Sequence, residues 1–191
     1  MKHKMLIPLE KNIEHYAGEE TCQKVMAGSE KITETSNREK RALWVKDAID
    51  RLDATVDEEK RIQIMHNCGS NCADINKRVI QKAVERCKKF KTFEEFLEAE
   101  IKKPPNGTRF EQDGNRLVQV YTPQTFSYLM RCYCGLIRYL PSDVNMSKTF
   151  CHCSEGFIKK YWETITGKPV NVKLLESAVS GSSECKFAIE F

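Results

Sequence analysis

The chain has 191 residues, of which 40% are hydrophobic and 30% charged, with a net charge of +4. That length holds one domain with a good core or two small ones, and the composition is too apolar for general disorder. The basic clusters Lys2-His3-Lys4, Arg38 to Arg41 and Arg86 to Lys91 alternate with glutamates or fall on predicted helix surfaces, which argues against a nucleic-acid interface.

The opening segment is basic, but its apolar stretch ends at Pro8. It is too short for a signal-peptide core, and no window is apolar enough to span a bilayer. A cytosolic location is therefore expected. Nine cysteines, an odd number in a reducing compartment, do not form a disulfide framework and need another explanation.

The first hundred residues read as helices. One is expected from about Leu9 to Ala27, closed by Gly28-Ser29. Ser36-Asn-Arg-Glu39 is a capping-box pattern, and Ala42, Val45, Ile49 and Leu52 follow it as one apolar stripe. A helix from Asp57 to Asn67 is expected to break at Gly69 with a positive φ. Ile75, Val79, Ala83, Val84 and Cys87 line one side of the next. Thr92-Phe-Glu-Glu95 opens a short helix up to Lys102.

Lys103-Pro-Pro-Asn-Gly107 then punctuates the chain and divides a helical region, 1–103, from a C-terminal α+β region, 104–191, the two being compatible with one compact unit. Phe110 to Tyr121, with Asp113-Gly114 at its middle, reads as a hairpin with a type I′ turn. Pro141 to Lys148 reads as a loop. Ser154 can cap a helix whose apolar face carries Phe157, Ile158, Tyr161, Trp162 and Ile165, ended by Gly167 and Pro169. Val170, Val172 and Leu174 alternate as a strand, as do Cys185, Phe187, Ile189 and Phe191. The fold class is α+β, with N-terminal helices packed on a C-terminal antiparallel sheet and one amphipathic helix.

The cysteines carry the chemistry. In extended chain, residues i and i+2 share a face, so Cys132 with Cys134, and Cys151 with Cys153, each present two sulfurs together. Four thiolates suit zinc or an iron–sulfur cluster, although one intervening residue is fewer than zinc sites usually have. Cys68 and Cys72 flank the expected helix break, and Cys185 faces inward; these are lesser metal candidates. The alternative is that all are small buried hydrophobes, which describes Cys22 and Cys87 well. A third reading makes Cys153 or Cys151 a catalytic nucleophile without metal, since the predicted helix start would lower the thiol pKa at Cys153. His152 is expected to point away from its neighbours' sulfurs, and Glu155 and Glu163 to lie at the surface. Glu176 closes a strand on the face of Val172 and Leu174. Phosphate loops, serine elbows and His-Glu-x-x-His are missing.

With these residues in hand, the run Cys151-His-Cys-Ser-Glu-Gly-Phe157, then Gly167-Lys-Pro-Val170, Leu175-Glu-Ser177, Gly181 and Cys185-Lys-Phe-Ala-Ile189, resembles a group of uncharacterised cysteine-rich microbial proteins. Cys132-Tyr133-Cys134 and the Cys-Gly-x-x-Cys element around Cys68 and Cys72 match theirs, so this likeness covers most of residues 40–191. The last forty residues are similar to vinyl-reductase-like ligand-sensing domains and to thiazoline-carboxylate hydrolase-like proteins. The sensor likeness implies zinc held by cysteines and a glutamate, matched here by Cys185 and Glu176. Ser177 and Ala178 stand where those domains carry a further cysteine, so Cys151 or Cys153 would have to take its place. The hydrolase likeness implies thiol-dependent cleavage of a C–N or C–S bond. Together these readings predict a metal-binding protein with a small organic ligand between helix and sheet, touched by Phe157, Tyr161 and Glu176. The alternatives are a cysteine-nucleophile enzyme or a structural, partner-binding domain.

Overall fold

The computed structural model describes residues 2–113, 116–127 and 130–191. The helical half contains α1 (Leu6–Ala17), α2 (Glu19–Val25), α3 (Arg38–Thr55), α4 (Glu58–Ile75), α5 (Lys77–Cys87) and α6 (Phe93–Lys102). The remainder contributes β1 (Thr108–Asp113), β2 (Arg116–Tyr121), α7 (His152–Thr166), β3 (Asn171–Glu176) and β4 (Cys185–Glu190). The expected α+β class is found, with the helices first and the sheet last.

Several boundaries differ from the sequence expectation for definable reasons. The first expected helix is two, because Gly18 adopts φ +84° between α1 and α2. The cap of α3 is Asn37 rather than Ser36, its side chain accepting from the Glu39 and Lys40 N–H groups at 3.0 Å. Ser36 instead accepts from the Thr33 N–H. Asp57 caps α4 through the Lys60 N–H. That helix runs straight through Gly69, whose φ is not positive. Thr92 caps α6 as expected, accepting from Glu95 N–H at 3.2 Å.

Ala42, Val45, Ile49 and Leu52 of α3 are fully buried. On α5 Ile80 and Ala83 are buried and Val84 and Cys87 half-buried, whereas Val79 and Ile75, the last residue of α4, are exposed, so only the second half of the stripe read from the sequence faces the core.

The sheet is antiparallel in the order β1-β2-β4-β3. The β1–β2 hairpin pairs Asp113 with Arg116; its turn at Gly114 lies outside the described residues. Leu117, Phe187 and Ile189 are buried beneath α7, with Trp162 at the centre. The Trp162 indole N–H donates to Gln119 Oε1 at 3.1 Å, and Phe93, Phe110 and Phe191 surround its ring edge-on. Aromatic residues bury large areas and favour these tilted geometries. Beneath α6, Glu100 is buried in a two-pronged ion pair with Arg86, both contacts at 2.9 Å. The space between helix and sheet where an organic ligand was expected is therefore filled by side chains: Ile158, Trp162 and Phe187 are at most 1% exposed. A second core joins α1 to α4 with residues 132–151 and Val179.

Candidate functional site

Helices α4 and α7 cross with their backbones in contact, and two glycines make this possible. A Cβ on Gly69 would lie 2.0 Å from the Cys153 carbonyl oxygen, and one on Gly156 would lie 2.1 Å from that of His66. Glycine lets two backbones approach where any side chain would part them. Around this crossing Cys68 and Cys72 come from α4, one turn apart, and Cys153 from α7.

Cys132 and Cys134, in the segment 131–135, pack against the same cluster as Cys68 and Cys153. Arg131 anchors this segment, donating to the Val144 carbonyl at 2.7 Å, to the Ala178 carbonyl at 2.9 Å and to Asn145 Oδ1 at 3.0 Å. Arg138 holds the Tyr133 carbonyl at 2.8 Å and Arg41 that of Gly135 at 2.9 Å. Cys132 and Cys134 thus sit in irregular chain rather than in the expected strand. Cys151 and Cys153 are not extended either: a 3-10 turn capped by Ser147 runs through Lys148–Cys151 directly into α7.

Cys68, Cys132, Cys134, Cys151 and Cys153 share one apolar cluster, although among the described residues no three sulfurs lie within 4.8 Å of one another. Burial pushes the Cys153 thiol up, and Cys68, Cys134, Cys72 and Cys132 add to the shift as neighbouring charges. Burial raises Cys132 likewise, with Cys134 and Cys185 contributing. It raises Cys134 to about 11, helped by Cys72, and Cys68 to about 12. Cys151 and Cys185 form a hydrogen-bonded pair, which raises the first and lowers the second. Cys185 accepts also from the Ala178 N–H at 3.3 Å. Cys151 lies 3.0 Å from the Ser177 hydroxyl. It thus occupies the neighbourhood where the sensor-type pattern lacks its cysteine.

N–H donors point at most of these sulfurs. Cys132 Sγ accepts from Cys134 N–H at 3.4 Å, and Cys134 from the backbone of Leu136 and Ile137. Cys68 accepts from the Asn12 amide at 3.4 Å and Cys72 from that of Asn76 at 3.5 Å. Such bonds favour the charged form of a thiol.

Cys153 is the second residue of α7 rather than the residue before its cap, and burial raises its thiol pKa. Of the residues expected at an organic ligand, Phe157 is half-buried, with its backbone N–H against Gly69. Tyr161 packs edge-on to Trp162 and bonds Arg86. Glu176 pairs with Lys186 at 2.9 Å across the β3–β4 ladder. The structure does not bring these three together with the cysteines.

A second group was missed in the sequence. Glu155, expected at the surface, is 4% exposed. Its Oε2 meets His66 Nε2 at 2.8 Å and also His152 Nδ1, while its Oε1 accepts from the Leu174 N–H. Burial alone would raise its pKa, but the bonds from His152, His66 and Leu174 outweigh that and hold it at about 2. The only legible signal was His152-x-x-Glu155, a spacing that places both on one helix face.

Fold and site together define an α+β protein with a thiol-rich junction at a helix crossing. Residues 2–190 match a family model described as "Family of unknown function (DUF6144)", and the chain belongs to that family. No curated protein matches it in sequence.

Among solved structures it is similar to a mutant H-NOX protein from K. algicida in the Fe(II) unliganded state. That match has a TM-score of 0.53 and 14% identity, covering 100% of this chain and 96% of the other. It is also similar to the H-NOX domain from Shewanella oneidensis in the Fe(II)CO state, with TM-score 0.50 and 12% identity over 100% and 98% of the two chains. At such identities the likeness describes the fold alone. These neighbours are H-NOX domains, whereas the sequence resemblance pointed to vinyl-reductase-like and hydrolase-like proteins. Among the described residues no helix is long and apolar enough to cross a membrane.

Proposed function

We propose that this protein is a metal-binding domain in which Cys68, Cys72, Cys132, Cys134 and Cys153 supply thiolates to zinc or an iron–sulfur cluster. The Cys151–Cys185 pair lies alongside, and a small molecule is the partner the metal responds to. What supports this reading is that Cys68 and Cys151, with the partly buried Cys132, Cys134 and Cys153, share one apolar cluster, most with an N–H donor aimed at sulfur. Among the described residues no three sulfurs lie within 4.8 Å of one another, so a metal would have to draw them together. Packing alone does not require thiols to gather. Cys22 and Cys87, the packing cysteines, have carboxylates for charged neighbours instead. Hydrogen bonds to sulfur tune cluster potentials and orient ligands.

The H-NOX neighbours are in Fe(II) and Fe(II)CO states, which supports a small-molecule partner as the class to test.

The test is the metal content of untagged protein purified without oxygen. About one zinc per chain, or iron with matching sulfide, is expected, together with its loss in Cys153→Ser. Folded protein free of metal would overturn the proposal.

A further inference from the structure

The geometry points to a second metal site, free of sulfur, made by His66, His152 and Glu155. We propose that it binds a divalent transition ion such as zinc or Fe(II). Two imidazole nitrogens and one carboxylate are the donor set of His₂Glu zinc sites and of two-histidine, one-carboxylate iron sites, both of which leave positions open for water or a ligand.

In this protein one ligand atom from each side chain lies within 4.8 Å of the others. His66 and Glu155 approach to 2.8 Å, and the two imidazole centroids are 6.1 Å apart. The arrangement is fixed before any ion arrives. His152 and Glu155 share a face of α7, and Gly156, the next residue, seats α7 against the His66 carbonyl. The Leu174 N–H on β3 holds the remaining carboxylate oxygen, the kind of outer contact that orients a metal-bound carboxylate.

A purely structural His–Glu–His chain would also satisfy these groups. Access favours a site instead. His66, with 35% of its side chain exposed, forms part of the wall of a surface cleft of about 400 Å³, together with Gln63, Asn67, Lys159 and Lys160. An ion can enter past His66 from this cleft, whose two lysines are balanced by Glu59 and Glu163, so its open positions suit water or a small neutral ligand.

Cobalt(II) added to the reduced, metal-free full-length protein tests this and separates it from the cysteine reading. Thiolate-bound cobalt gives an intense sulfur-to-metal charge-transfer band, and cobalt on nitrogen and oxygen alone does not. The wild type is expected to show a cobalt population without that band. His66→Ala, which alters a half-exposed residue, should weaken that population by about tenfold or more and leave the charge-transfer population intact. Glu155→Gln should do the same; if it fails to fold, His66→Ala decides alone. A wild type lacking sulfur-free cobalt, or undiminished affinity in His66→Ala, would overturn the proposal. Loss of the charge-transfer band alone would count against the cysteine site and not this one.

Discussion

The two faces of α7 make opposite demands on the chain. Toward the sheet it presents Ile158 and Trp162, which are buried among Phe96, Leu117 and Phe187 in a core held by area and ring geometry. Toward α4 it presents Gly156, Cys153 and Glu155, where backbone meets backbone and sulfur, imidazole and carboxylate fill what space remains. One face supplies stability with almost no chemistry. The other concentrates nearly all the reactive groups, and its tightness comes from missing side chains rather than large ones.

The largest expected effect sharpens that contrast. Trp162→Ala removes the side chain at the centre of the sheet core and should cost about 4 kcal/mol in unfolding free energy, read by chemical denaturation. Metal bound per folded chain should not change. A variant that folds yet loses metal would show that the two faces are coupled.

Gly69→Ala attacks the opposite face. Its Cβ would meet backbone at 2.0 Å, so the helices must part. A cost of about 3 kcal/mol is expected, with metal lost from whatever remains folded. Retention of full metal content would mean that the close crossing does not position the cysteines.

Legibility from sequence follows the same division. The sheet face was readable because strand alternation and the Phe157–Ile165 stripe are periodic signals of apolar burial, and β3 and β4 lie where alternation placed them. The crossing was misread at Gly69, taken as a helix break: a glycine admitting a neighbouring helix and one ending its own look identical in one dimension. Cys151 and Cys153 were taken as extended because i and i+2 pairing is a strand rule. They lie instead on a 3-10 turn that runs into α7. Glu155 was assigned to the surface because first-turn carboxylates usually lie there, and nothing local announces that His66, 89 residues away, will reach it.

A smaller effect tests the segment 131–135. Arg131 donates to four backbone carbonyls and the Asn145 amide oxygen on neighbouring chain. Arg131→Ala should cost about 2 kcal/mol and speed alkylation of Cys132 and Cys134 in metal-free protein, measured by mass spectrometry of each peptide. Unchanged alkylation would mean that the segment is held by its apolar contacts alone.

The smallest effect returns to the sheet. Arg109 on β1 grips Glu184, just before β4, with one contact at 2.7 Å, and this pairing holds the Glu184 carboxyl below its ordinary value. A carboxyl depressed in the folded state contributes stability that is present above its unfolded pKa. That contribution fades as pH falls through the folded value, because the unfolded chain takes up the proton first. Glu184→Gln should therefore lower stability by about 1 kcal/mol or less at neutral pH, and the gap from wild type should close on acidification. High salt should narrow it as well, since the pair is partly exposed. A gap that persists at low pH would assign the loss to packing at the start of β4, and the sheet half would then owe nothing measurable to charge.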